Sequence, residues 1–153
     1  MVVSTKIHIN EGFALALEDR PRSILVTGAN GRLGSAVVKR LRAAGFLVHD
    51  RTRAELDIAD AEGVQETVAE LRPDVIVNAA AYTDVARAPL DPEALRRANV
   101  EGPAVLAACA ARFGARLVHF STDYVFSGGG LKSHRESDPR HPAGAYGRSK
   151  ALG

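Results

Sequence analysis

From Ser23 onward, short apolar runs alternate with stretches whose apolar residues recur at helical spacing. "SILVT" is a short β-run closed by "GANGRLG", and "SAVVKRLRAAG" has helical periodicity and stops at Gly45, a C-terminal helix signal. "FLVHD" predicts a second strand. Asp60 is placed as the N-cap of a helix over "AEGVQETVAEL" that Pro73 ends, and "DVIVNAA" predicts a third strand. "PEALRRANVEGPAVLAACAARFG" is helical in pattern, with a break expected at Gly102-Pro103. "ARLVHFST" predicts a fourth strand, Asp123 to Gly144 a long Gly-, Ser- and Pro-rich loop, and "AYGRSKALG" the start of another helix. Strand–helix alternation of this kind implies right-handed crossovers and a parallel sheet covered on both faces. The unbroken runs "ILV" and "VIV" fit strands buried on both sides. The expected class is therefore α/β, a doubly wound parallel sheet of the Rossmann type, with ligands gathered at the carboxyl ends of the strands.

Composition narrows the partners. Twenty Lys and Arg against eighteen Asp and Glu leave a net charge of +2, too balanced to predict a nucleic-acid or membrane surface. The paired arginines carry no aromatic interleaving and read as solvated. No stretch approaches the ~20 apolar residues that span a bilayer. The single cysteine, Cys109, allows no internal disulfide and suits a reducing, cytoplasmic setting. It lies in an Ala-rich helical pattern and reads as a small buried hydrophobe rather than a nucleophile. Residues 1–22, with a short "FALAL" patch but no signal-peptide order of charge, core and cleavage site, read as an extension preceding a dinucleotide-binding unit over 23–153.

The chemistry begins at the glycine turn. Gly28, Gly31 and Gly34 follow the first strand and open a helix. The first allows the tight turn, the second lets backbone approach a pyrophosphate, and the third lets helix pack on strand; the helix N-terminus then faces the phosphates. A glycine triplet alone is a weak signal, but in a strand–turn–helix context it points to a dinucleotide. Asp50, at the end of the second strand, could take a ribose 2′-OH and favour NAD(H). Arg51 and Arg53 could take a 2′-phosphate, and they tilt the choice towards NADP(H). His8, His49, His119, His134 and His141 show no metal-ligand spacing. His134, Glu136, Asp138 and His141 read as a solvated loop, and His119 as a satisfied structural histidine rather than a base.

The segments "TGANGRLG", "AELDIAD", "PDVIVNAAAYTDV", "STDYVFSG" and "YGRSK" occur in the order and at about the spacing of extended short-chain dehydrogenases/reductases. With "STDYVF" as the specific part, the chain resembles the dTDP-4-dehydrorhamnose reductase family from about Ile24 to its last residue. The resemblance implies that Gly28, Asn30, Gly31, Arg32 and Leu33 line the pyrophosphate and that Asp57 and Ile58 lie beside the adenine. It also implies that Ala79, Ala80 and Ala81 pass under the cofactor with Tyr82 nearby, and that Asp123, Tyr124 and Phe126 shape a sugar-nucleotide pocket. Thr122, Tyr146 and Lys150 would be the catalytic triad. Reduction of a 4-keto sugar needs a hydride from nicotinamide and a proton for the developing alkoxide. Tyr146 would supply the proton, and Thr122 a hydrogen bond to the carbonyl oxygen. Lys150, one helical turn on, would lower the phenol's pKa by its charge and hold the nicotinamide ribose.

Two departures qualify the resemblance. The family's V-D-x-A-E reads "VARAP" here, Val85 to Pro89, and the carboxylate of "YVFDG" is Ser127. Family members are also roughly twice as long, their second half completing the sheet and gripping the sugar nucleotide. Gly153 thus reads as the end of a fragment lacking that C-terminal substrate domain, with the fourth strand an open edge inviting self-association or a partner chain. The expectation is a reductase by lineage, inactive as an isolated chain. The alternatives are a non-catalytic dinucleotide-binding module, like the regulatory subunit of methionine adenosyltransferase that resembles this family, or a sugar-nucleotide epimerase or dehydratase.

Overall fold

The structure, a computed structural model, describes residues 23–128 and 133–153. The extension over 1–22 lies outside the described residues. β1 (Ser23–Thr27) is followed by α1 (Arg32–Ala43), β2 (Leu47–Arg51), α2 (Ala61–Leu71) and β3 (Val75–Asn78). A continuous helical run comes next: α3 (Pro92–Arg96), a π-helical turn (Arg97–Glu101) and α4 (Gly102–Phe113). β4 (Arg116–His119), a 3₁₀ turn (Asp123–Val125) and α5 (Ala145–Leu152) complete the described chain.

The strands form one four-stranded parallel sheet in the order β2-β1-β3-β4. Alternation along each strand explains the unbroken apolar runs. Ile24, Val26, Val75 and Val77 face Val38 of α1, whereas Leu25 and Ile76 face Val64 and Val68 of α2 and Leu106 of α4. Both sheet faces are thus covered, which removes any reason for polar residues within β1 and β3. Among the described residues β4 pairs with β3 alone and stands at the sheet edge.

Gly102-Pro103 does not break the helix. Gly102 donates its N–H to the Arg97 carbonyl, five residues back, and the run continues to Phe113. Proline has no N–H for the helix and its ring collides with the carbonyl four residues earlier; a widened turn relieves both conflicts. Gly102 serves packing instead, since a Cβ there would lie 2.4 Å from the Ile58 side chain. Asp60 stands at the N-cap of α2, but only its backbone carbonyl bonds into the helix, from Val64 N–H. Arg72, in the left-handed region at φ 45°, closes α2 just before Pro73.

Candidate active site

Parallel pairing brings the carboxyl ends of all four strands to one edge, and two different constructions share it. The first is made mainly of backbone. Gly28 turns the chain out of β1 at φ +66°, and a Cβ there would lie 2.6 Å from the Ala80 nitrogen. A Cβ on Gly34 would lie 2.1 Å from the Gly28 carbonyl oxygen, so α1 can sit this close to the turn only with glycine there. Gly31 is the N-cap of α1 and brings no side chain to the first-turn amides. Beside them opens a cleft of about 330 Å³, lined by Gly28, Asn30, Gly31, Arg53, Asp57 and Ile58. Ala79, Ala80, Ala81 and Tyr82 form its floor, and Leu56, Ala94, Arg97 and Ala98 complete the wall. Its size is within the ~300–1,000 Å³ of small-molecule sites, and its glycine cradle and amide-rich end suit a pyrophosphate.

Arg32, Leu33, Gly34 and Asp50, all expected at the cofactor, stand outside that lining, as do Tyr146 and Lys150. Arg32 and Leu33 lie on the first turn of α1, and Gly34 packs against the turn instead of facing the cleft. Asp50 is likewise elsewhere, its carboxylate 2.6 Å from the Arg42 guanidinium. Arg53 does line the cleft, facing the same space as Asp57. The Asp57 carboxyl is held below its ordinary range, first by the Ala59 amide and then by Arg97, whose guanidinium lies 2.8 Å away. Arg97 is a cleft residue that sequence pattern did not single out, because in "PEALRRANVEG" it reads as one more solvated helical arginine.

The second construction is made of side chains. Thr122 follows β4 and caps the 3₁₀ turn, its hydroxyl accepting the Tyr124 N–H. α5 brings Tyr146 against this turn, with the Tyr124 and Tyr146 rings edge to face at 5.6 Å. Burial pushes the Tyr146 phenol above its ordinary value. A hydrogen bond with Thr122 pulls it partway back, and Asp123 and Tyr124 push it up further. The lowering expected from Lys150 is not what acts on the phenol. Lys150 points inward, 6% exposed, with its Nζ 3.1 Å from His119 Nε2. Burial pushes the lysine below its ordinary value. Burial, then the lysine's charge, pushes His119 down to about 4.

Asp123, Tyr124 and Phe126 line a depression that Tyr146 also lines, and Asp123 and Phe126 line a second one with Thr122. Val85 and Pro89 of the "VARAP" segment, the proline standing where the family pattern has its second carboxylate, form part of the wall beside Tyr124 and Tyr146. Phe126 stacks on His134 at 4.1 Å, and His134 lies 3.5 Å from Asp138. No group of His, Cys, Asp and Glu able to hold a metal ion converges among the described residues. Among these residues too, no helix is long and apolar enough to cross a membrane.

The supporting residues behind this corner carry no sequence signature. Asn99, fully buried in the π-helical turn, accepts the Tyr82 N–H at 2.8 Å and donates to the Tyr82 carbonyl and to Ser149 Oγ. Ser149 in turn donates to the Tyr146 carbonyl. One amide therefore ties the segment under the cleft to the helix bearing Tyr146 and Lys150. An asparagine in a helical run offers no periodic cue for that role.

Comparison with known proteins places this geometry. The family model described as the RmlD substrate binding domain matches residues 22–153. A dTDP-4-dehydrorhamnose reductase of Burkholderia thailandensis is 45% identical over 130 residues, 85% of this chain and 43% of the relative. The spore coat polysaccharide biosynthesis protein SpsK of Bacillus subtilis is 40% identical, over 85% of this chain and 46% of its own length. Among solved structures, a dTDP-4-dehydrorhamnose reductase of Bacillus anthracis in complex with NADP superposes with a TM-score of 0.84 at 33% identity. The superposition covers 88% of this chain and 48% of that one. The chain thus spans less than half the length of the relatives it matches.

Proposed function

Because the chain belongs to the RmlD substrate-binding-domain family, we propose that it provides the cofactor cleft and the proton-donating corner of a sugar-nucleotide reductase. Residues 23–153 are read as the dinucleotide-binding unit, and dTDP-4-dehydrorhamnose as the substrate, after the named activity of the relatives. The observation that carries the reading is the meeting, at one sheet edge, of a glycine-built cleft with a Thr122–Tyr146–Lys150 corner.

The cofactor in this reading is NADP(H), which supplies the hydride. Gly28, Asn30 and Gly31 would hold its pyrophosphate, Ala79 to Ala81 would underlie it, and Asp57 and Ile58 would flank its adenine. Arg53 lies in the cleft while Asp50 is engaged by Arg42, which supports a 2′-phosphate over a free ribose hydroxyl. Tyr146 would give its proton to the substrate oxygen. A phenol pushed up by burial stays protonated at neutral pH, the state a donor needs. Thr122 would hold that oxygen as charge develops, and Lys150 would reach the nicotinamide ribose. Asp123, Tyr124 and Phe126 would contact the sugar nucleotide.

Titration with NADPH and NADH tests the cleft. NADPH is expected to bind more tightly, and Arg53→Ala to reduce that preference about tenfold, the ~1.4 kcal/mol of one charge-assisted contact. Equal affinity for the two cofactors would refute the 2′-phosphate assignment. Fusing the chain to the remaining half of the B. thailandensis relative tests the chemistry. The chimera should oxidise NADPH with dTDP-4-dehydrorhamnose, and Tyr146→Phe should slow it by about 100-fold or more.

A further inference from the structure

Arg96 and Arg97 are neighbours in one helical run, yet they are used differently. Arg96 bonds to Glu93 and Glu101 of its own run, at the surface. Arg97 crosses to a segment 40 residues earlier in the chain, its Nη2 donating to Asp57 Oδ2 at 2.8 Å. The spacing of the wall residues makes this reach possible. Ala94, Arg97 and Ala98 stand at i, i+3 and i+4, on one face of the run, and all three line the cleft beside the glycine turn. Of these three, Arg97 alone has a polar side chain.

Asp57, on the same cleft, is held at three points. The Ala59 N–H donates to Oδ1 at 3.0 Å, and Arg97 donates to Oδ2. The next residue, Ile58, is buried and packs so closely on the widened helical turn that a Cβ on Gly102 would lie 2.4 Å from it. A carboxylate bonded at both oxygens cannot turn, but each oxygen keeps a second lone pair. With 39% of its side chain exposed, Asp57 can offer those lone pairs to a ligand in the cleft. Both donors favour the ionised carboxylate, which accepts hydrogen bonds and donates none. Such a group fits an amine and opposes a carbonyl. The 6-position of a purine presents one or the other: an amine in adenine, an oxygen in hypoxanthine.

We propose that Arg97 is a positioning residue for base recognition: by holding the Asp57 carboxylate in one orientation, it makes the cleft select a dinucleotide with a 6-aminopurine over one with a 6-oxopurine. The inference rests on the reading of Asp57 as the residue beside the adenine, and it adds what orients that residue and which purine edge it selects. Arg53 also lines the cleft and acts on Asp57 through its charge. Without Arg97 the carboxylate therefore stays ionised at neutral pH, but it is held at Oδ1 alone and is free to swing.

The test titrates the chain with two fluorescent probes, NADPH and its deaminated analogue, reduced nicotinamide hypoxanthine dinucleotide phosphate. The wild type should bind NADPH about tenfold more tightly than the analogue, the effect of one hydrogen bond to a charged group. Arg97→Leu should bring the ratio close to one, and Arg97→Lys, which keeps a cationic donor for Oδ2, should restore part of it. The Arg97 side chain is 44% exposed, so its removal leaves the core intact, and circular dichroism checks that it does. Asp57→Asn should also bring the ratio close to one, because its amide can present either an oxygen or an NH₂ group. A merely structural arginine would weaken both probes equally and leave the ratio unchanged, which would overturn the proposal. So would a wild-type chain that binds both probes alike. A loss in Arg97→Leu of preference for NADPH over NADH, with the purine ratio unchanged, would make Arg97 a 2′-phosphate contact and overturn it too. No binding of either probe by the wild type would remove the cofactor reading itself, and this proposal with it.

Discussion

The glycine cleft and the α5 corner lie on the same sheet edge, yet they are made in opposite ways. The cleft is shaped by what its residues lack: Gly28 and Gly34 admit backbone where any Cβ would collide with Ala80 or with the Gly28 carbonyl. The corner is shaped by what its residues carry, with Asn99, Ser149, His119 and Lys150 held by side-chain hydrogen bonds in buried surroundings. A site built by omission is broken by adding atoms. A site built by polar side chains is broken by removing atoms and changes with protonation.

The largest effect should come from adding one methyl group. Gly34→Ala places a Cβ 2.1 Å from a backbone oxygen that no side-chain rotation can clear. We expect a loss of about 3 kcal/mol in unfolding free energy, read by denaturant titration, with dinucleotide binding abolished. Unchanged stability would mean that the turn has slack which this packing denies. Next comes removal: Asn99→Ala strands the Tyr82 amide and carbonyl and frees Ser149. It should cost about 2 kcal/mol. Loosening should then appear at α5 in hydrogen exchange, and not at the Gly28 turn.

The smallest effect separates the two halves by acid. His119 goes from 6.5 unfolded to about 4 folded, so between those values the unfolded chain binds more protons. Stability is therefore full above about pH 6.5 and declines as pH falls towards about 4. The ring is only half-buried, so solvent screening reduces the effect to about 1–2 kcal/mol. Comparing acid titrations of stability for the wild type and His119→Gln measures it. A decline just as steep in the variant would assign it to other groups.

Much of this was legible in the sequence, for identifiable reasons. The strands of the sheet centre announce themselves because burial on both faces forces unbroken runs such as "ILV" and "VIV". The glycine turn is readable because close backbone approach leaves little alternative to glycine. What escaped depended on where side chains point. Asp50 pairs with Arg42, a rotamer choice across α1 and β2 that no spacing encodes. Pro103 signalled a break because a one-dimensional pattern does not distinguish a stopped helix from one widened by a residue. His119 read as an isolated strand histidine because its partners, Asn78 and Lys150, are 41 and 31 residues away in the chain.

That separation bears on how the protein is made. A row of side-chain hydrogen bonds from Thr27 through Asn78 and His119 to Lys150 joins residues 51, 41 and 31 positions apart, one from each of β1, β3, β4 and α5. Local helix formation completes none of it, and loop closure must come before the first of these bonds can form. The glycine turn shares that dependence, since Gly28 meets Ala80, 52 residues on, so both constructions wait on the pairing of distant strands.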